Sequence, residues 1–161
     1  LIGLLGGILG ARVIELYEGD LQLYPEMAFF ILLIAAMGGN AGVQSSAIIV
    51  QGLANKSMGL SGITSKLGKE FSVALVNGLV CSGLIFGYNM IFSDSMGLSI
   101  TVSLALFSVI VIATLFGTLV PLILDKYEID PALATGPFIT TVNDVLGLFI
   151  YFLIGHLLYI G

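Results

Sequence analysis

The sequence predicts an all-α, polytopic membrane protein with five transmembrane helices, and three observations predict it. Of 161 residues, 58% are hydrophobic and only 9% are charged, with a mean hydropathy of +1.12; an average soluble domain carries roughly 25% charge. The apolar residues run continuously, unlike the short alternating strands of a membrane β-barrel. The polar residues gather in the gaps between those runs. A soluble globular domain and a disordered tail are thereby excluded. Five Lys and Arg stand against ten Asp and Glu, for a formal net charge of −5, so there is no basic face for nucleic acid. The one Cys excludes an intrachain disulfide framework and a Cys-built zinc site.

Hydropathy places the elements in order along a single transmembrane pore domain, residues 1–161. Helix 1 covers about 1–17. The run Leu1–Leu16 would rise only about 24 Å, short of the ~30 Å hydrocarbon core. It also lacks a basic n-region and a cleavage site, so it reads as a first membrane helix cut near its beginning and preceded by something upstream. Its glycines at i,i+4 spacing, Gly3–Gly7 and Gly6–Gly10, suit close helix packing. An acidic link with Glu18, Asp20 and Glu26 follows. Helix 2 covers 27–53, and a polar link 55–70 holds Lys56, Lys66 and Lys69. Helix 3 covers 71–92, a Ser93-Asp94-Ser95 turn follows, and helix 4 covers 98–124 with Pro121 near its end. Helix 5 covers 131–160. Asp130-Pro131 is a favourable helix start, and Gly136-Pro137 predicts a restart and a candidate gate.

Lysines in links 2–3 and 4–5 (Lys56, Lys66, Lys69 and Lys126) put those links in the cytoplasm. The N-terminus is then inside, the C-terminus outside, and the outer links acidic.

Asp144 is the one charged residue deep in a membrane segment. A carboxylate there costs at least about 2.5–3.5 kcal/mol, and no Lys or Arg is placed deep in another helix to pair with it. Either it is neutral and hydrogen-bonded, or it lines a wet cavity and meets a mobile cation. Thr140, Asp144, Gly147 and Tyr151 share one face of helix 5, flanked by Thr141 and Asn143. In helix 2, the string Gly38-Gly39-Asn40-Ala41-Gly42-Val43-Gln44 puts Asn40, Gln44, Ala47 and Gln51 on one face. Amides and hydroxyls suit a hard cation or its water shell. The candidate metal residues are therefore Asp144, Thr140 and Thr141. The candidate pore lining is Gly39, Asn40, Gln44, Gly136, Asn143 and Gly147. One carboxylate per chain cannot neutralise a divalent ion, whereas two across a C2 axis can, so the simplest assembly is a homodimer. The donor set fits hydrated Mg2+ and also admits Ca2+, Mn2+ or Na+. There is no nucleophile elbow, phosphate loop or zincin motif, so an enzyme is not expected. His156, near the end of helix 5, is a weak metal candidate, and Cys81 reads as a packing residue.

The string Gly38-Gly39-Asn40-Ala41-Gly42-Val43-Gln44-Ser45, with Gly52-Leu53-Ala54, resembles the signature of the MgtE-type magnesium channel family. Asp130-Pro131-Ala132 through Gly136-Pro137, Thr140-Thr141 and Asp144 resembles that family's last helix. The resemblance implies a multi-pass protein of the cell's inner membrane. It implies a homodimer whose two-fold axis holds a pore lined by helices 2 and 5, with Asp144 acting on hydrated Mg2+ as the transported ion. It further implies regulatory N-terminal cytoplasmic domains, which this sequence lacks. An H+- or Na+-coupled carrier using Asp144 is the alternative function, and a non-transporting membrane interaction module is a third.

Overall fold

A helix in lipid must satisfy its own backbone, and among the described residues every regular element is helical. The computed structural model describes residues 1–55, 60–134 and 136–160, and the side chains within them except those of 60–64 and 160. The order is α1 (Ile2–Leu16), α2 (Glu18–Leu23), a 3-10 segment (Pro25–Phe30), α3 (Ile31–Ala54), α4 (Leu60–Phe92), α5 (Met96–Lys126), a 3-10 turn (Pro131–Ala134), α6 (Pro137–Gly155) and a π-helical turn (His156–Ile160). Four stretches are long and apolar enough to cross a membrane: Pro25–Ala54, Ser65–Phe92, Met96–Lys126 and Pro137–Tyr159. α1, with 15 residues, is not among them.

The element bounds differ from expectation in two places, and the expected restart of the last helix is present. The link expected over 55–70 is largely helix, because α4 starts at Leu60, eleven residues before Phe71. Hydropathy stops at Lys66, Lys69 and Glu70, but Lys and Glu are good helix formers, so the helix runs on past the apolar stretch. Lys56 lies outside the described residues. The acidic link after helix 1 winds into the short α2. The last helix is interrupted: Asp130 Oδ1 accepts from Ala132 N at 2.9 Å to start the 3-10 turn, Gly136 adopts φ +56°, and α6 begins at Pro137. That φ favours glycine, so the restart is built into Gly136-Pro137.

α3, α5 and α6 make the centre, with Ile34, Val102, Val109, Ile110, Tyr151 and Phe152 buried among them. α4 packs on α5 and shows Val73, Val76, Leu79, Val80 and Leu84 outward. Apolar residues on the outside as well as the inside mark a lipid-facing surface. α1 lies along α6. Helix contacts are closest at glycine: a Cβ on Gly117 of α5 would sit 2.2 Å from the Gly42 carbonyl oxygen of α3.

Side chains tie the two ends of the bundle differently. At one end Tyr159 OH donates to Glu26 Oε1 (2.8 Å) and pairs with Ser95 Oγ (2.9 Å), while His156 Nδ1 meets Asp20 Oδ2 at 2.9 Å. Tyr151 OH reaches back to the Met27 carbonyl at 2.8 Å. At the other end Ser46 Oγ donates to the Ala134 carbonyl and Ser45 Oγ to Glu70 Oε2 at 3.0 Å.

The Gly117 contact is with backbone, which cannot rotate away. Gly117→Ala is expected to cost about 1–3 kcal/mol or more through overpacking and to lower the melting temperature in detergent. Gly83→Ala, where a Cβ meets nothing within 4 Å, is expected to leave melting unchanged or raise it, since Ala is the better helix former. Equal melting of the two variants would overturn the backbone contact.

Candidate functional site

α3 carries its amides on the side its own chain leaves bare. Asn40, Gln44, Ala47 and Gln51 are all exposed, one stripe at i, i+4, i+7 and i+11. The opposite side of α3, with Gly38, Gly39, Ala41, Gly42, Ser45 and Ser46, is buried. The glycines there are small because α6 and α5 come close. A Cβ on Gly39 would lie 2.6 Å from Asp144 Oδ1 and 3.1 Å from Thr140 Cγ2. Asp144 is thus laid across the α3 backbone, one residue from the exposed stripe.

Asp144 is half-buried. Among the described residues no hydrogen-bond donor and no cation engages its carboxylate. The one basic residue of α1, Arg12, is taken by Glu15 at 2.5 Å on an exposed surface. The Asp144 carboxylate opens onto a groove of about 620 Å³ between α1 and α6, lined among others by Gly3, Gly7, Gly136, Thr140 and Asp144. Thr140 Oγ1 donates to the Gly136 carbonyl at 3.1 Å, which ties the hydroxyl to the helix break.

The structure brings together Asp144, Thr140, Thr141 and Gly136 along the groove, with Gly39 against Asp144. Asn40 and Gln44 lie on the adjoining bare face of α3. Thr141 turns toward α1, where a Cβ on Gly6 would lie 2.1 Å from its Cγ2. Asn143 and Gly147 are placed inside the chain. Asn143 is 1% exposed and lies on Gly42, with both ends of its amide lacking partners. Gly147 is buried against Val109 and the Ile34 carbonyl. Asn143 and Asp144 are neighbours on a helix, about 100° apart. When one faces the groove, the other faces the core.

Sequence reasoning missed the α1 side of the groove. Gly6 and Gly10 pack on α6 as close-packing glycines do, but Gly3 and Gly7 meet nothing within 4 Å and line open space beside Asp144. The signal was present in the doubled i,i+4 spacing, which gives α1 two glycine stripes rather than one. Among the described residues no three His, Cys, Asp or Glu gather to hold a bare metal ion.

Comparison with known proteins gives a consistent picture. Residues 31–154 match the MgtE family, described as a divalent cation transporter. Over 146 residues the chain is 38% identical to a magnesium transporter MgtE of Bacillus subtilis, covering 91% of this chain and 32% of that protein. It is 31% identical over 156 residues to a magnesium transporter MgtE of Thermus thermophilus, covering 96% of this chain and 34% of that one. The chain therefore spans about a third of the length of the curated relatives it matches.

A wet face and a lipid face are separable by chemistry. In a Cys81→Ala background, Asn40→Cys and Gln44→Cys are expected to react with a membrane-impermeant, water-soluble thiol reagent, and Asn143→Cys to be protected. Protection of all three would mean that the α3 stripe is covered by lipid or packed protein.

Proposed function

The chain belongs to the MgtE family of divalent cation transporters, and from that premise we propose that it is the membrane pore domain of a magnesium channel. The observation that carries the reading is Asp144: a carboxylate within a membrane-spanning helix, resting on Gly39, open to a groove, with no partner among the described residues. An ionised group there needs a counter-ion, and an intramembrane ionisable residue marks an ion pathway. The relatives' names supply the ion, Mg2+, as substrate.

One carboxylate per chain is half of what a divalent ion requires. In the proposed assembly two copies meet about a two-fold axis, with the bare α3 stripe and the Asp144 side of α6 lining a common pore. Asp144 and Thr140 would face the ion, with Thr141 beside them, and Asn40, Gln44, Gly39 and Gly136 would line the path toward it. Mg2+ dehydrates reluctantly. A wall of amides, hydroxyls and a single charge per subunit suits contact through the ion's water shell. α1 would complete a five-helix topology by crossing at a tilt beside α6 or by continuing upstream. The N-terminus would be cytoplasmic and the C-terminus outside, in the cell's inner membrane. Regulation would come from domains N-terminal to this one, and the protein performs transport rather than enzymatic chemistry.

Purified protein in liposomes, with a fixed K+ diffusion potential, tests this directly. Mg2+ influx is expected, and Asp144→Ala is expected to reduce it to the protein-free leak while still eluting at the wild-type position in gel filtration. Gly39→Ala, which pushes a methyl group against the carboxylate, is expected to reduce influx by about tenfold, equivalent to about 1.4 kcal/mol. Undiminished influx through Asp144→Ala would sink the assignment. Influx that follows a pH or Na+ gradient and ignores the potential would replace the channel with a coupled carrier.

A further inference from the structure

The groove between α1 and α6 has two unlike walls. On the α6 side, Gly136, Thr140 and Asp144 recur at i, i+4 and i+8. On α1, Gly3, Gly7 and Ala11 recur at the same spacing. Eight residues of helix rise about 12 Å, so two stripes of matched length border the groove. The other glycines of α1 serve packing. A Cβ on Gly6 would overlap the Thr141 methyl group, and one on Gly10 would touch Leu148 at 3.4 Å, so these two let α1 lie close on α6. Gly3 and Gly7 meet nothing within 4 Å. Glycine weakens a helix relative to alanine, and at these two positions no close contact offsets the loss. What their missing side chains leave is room beside a carboxylate.

We infer that α1 is a wall of the ion's chamber, and that Gly3 and Gly7 set the room in which a hydrated divalent cation meets Asp144. The inference rests on the Mg2+ pathway proposed above and adds to it a helix that the amide stripe of α3 does not point to. The groove holds about 620 Å³. A divalent ion with six waters needs about 180 Å³, at about 30 Å³ per water. The ion therefore fits with its shell intact, which matters for Mg2+ because it dehydrates reluctantly. A long side chain at Gly7 would stand where that shell has to be.

The chemistry of the lining agrees with a water-clad cation. Asp144 is the one charged residue that lines the groove, so no Lys, Arg or His competes for it there. The Thr141 hydroxyl belongs to the same lining and makes no hydrogen bond among the described residues. Carboxylate and hydroxyl oxygens accept from the ion's waters. The opposite wall adds acceptors of a different kind. Glycine exposes the helix backbone, and each backbone carbonyl keeps a second lone pair after its helical bond is made.

The test follows the reaction of Gly7→Cys with a cationic, water-soluble thiosulfonate, in the full chain carrying Cys81→Ala in liposomes. Reagent and Mg2+ are supplied on both sides at constant ionic strength. Gly7→Cys is expected to react, and Mg2+ to slow the reaction by about tenfold by competing for the same negative site. Adding Asp144→Asn is expected to abolish that protection. An unreactive Gly7→Cys would overturn the inference, as would a rate that Mg2+ leaves unchanged or protection that survives Asp144→Asn. Influx gives the second readout. Gly7→Leu is expected to lower Mg2+ influx by at least about tenfold by narrowing the path, and Gly83→Leu, on the outward face of α4, to leave it unchanged. Full influx through Gly7→Leu would also overturn the inference. Failure of the channel reading itself would appear as no influx through the unsubstituted chain, and the protection assay would still decide whether an ion occupies the groove.

Discussion

At Gly38, Gly39 and Gly42, α3 comes close against α5 and α6, and the rest of the site inherits its geometry from that contact. Gly42 meets Gly117 backbone to backbone, Gly38 meets Val109 and the Asn143 carbonyl, and Gly39 lies under Asp144. Lipid provides no hydrophobic force to press helices together, so close van der Waals approach through small residues must hold them. A Cβ at Gly39 would push on the Asp144 carboxylate, and one at Gly42 on the Asn143 amide. The Asp144 carboxylate would then lose its seat beside the bare face of α3.

The same contact explains why the polar residues of α3 and α6 divide into two sets. Glycines face the neighbours, so the amides Asn40, Gln44 and Gln51 can only face away. A stripe of amides along an apolar helix is unfavourable against hydrocarbon, where each unsatisfied polar group costs several kcal/mol. Water or a second polar surface has to cover it. The groove beside Asp144 makes the same demand from the other side of Gly39. The amide stripe and the Asp144 carboxylate thus lie on the two sides of Gly39.

Much of this was legible because the signals were local. Asp130-Pro131 and Gly136-Pro137 announced the broken helix through cap chemistry and a fixed proline φ, and the break lies there. The i, i+4, i+7 spacing of Asn40, Gln44 and Ala47 announced one face, and that face is exposed. What could not be read was which neighbour each face meets. A helical wheel assigns angles without assigning partners, so Asn143 and Gly147 looked as available as Thr140 until Val109, Ile34 and Gly42 were seen to enclose them. The extent of α4 was hidden for a different reason. Hydropathy reports contact with lipid, whereas helix continuation depends on backbone propensity, and the two part company where Lys66, Lys69 and Glu70 leave the apolar run.

The two ends of α6 are held by unlike means, and this decides where the helix can yield. Beyond Gly155, Tyr159 bonds Glu26 and Ser95 and His156 meets Asp20, and just before it Tyr17 stacks on Phe152 with ring centroids 5.1 Å apart. These tethers reach three different segments, so moving that end requires breaking several contacts together. At the other end the backbone is already interrupted at Gly136, and the Thr140 hydroxyl bonds back to its carbonyl. A change in torsion at one residue is far easier than the concerted loss of four contacts. Asp144 sits two turns from the break, on the stretch of α6 that lies against Gly39. The helix that carries it is thus tied at several points beyond one end and interrupted in its backbone at the other.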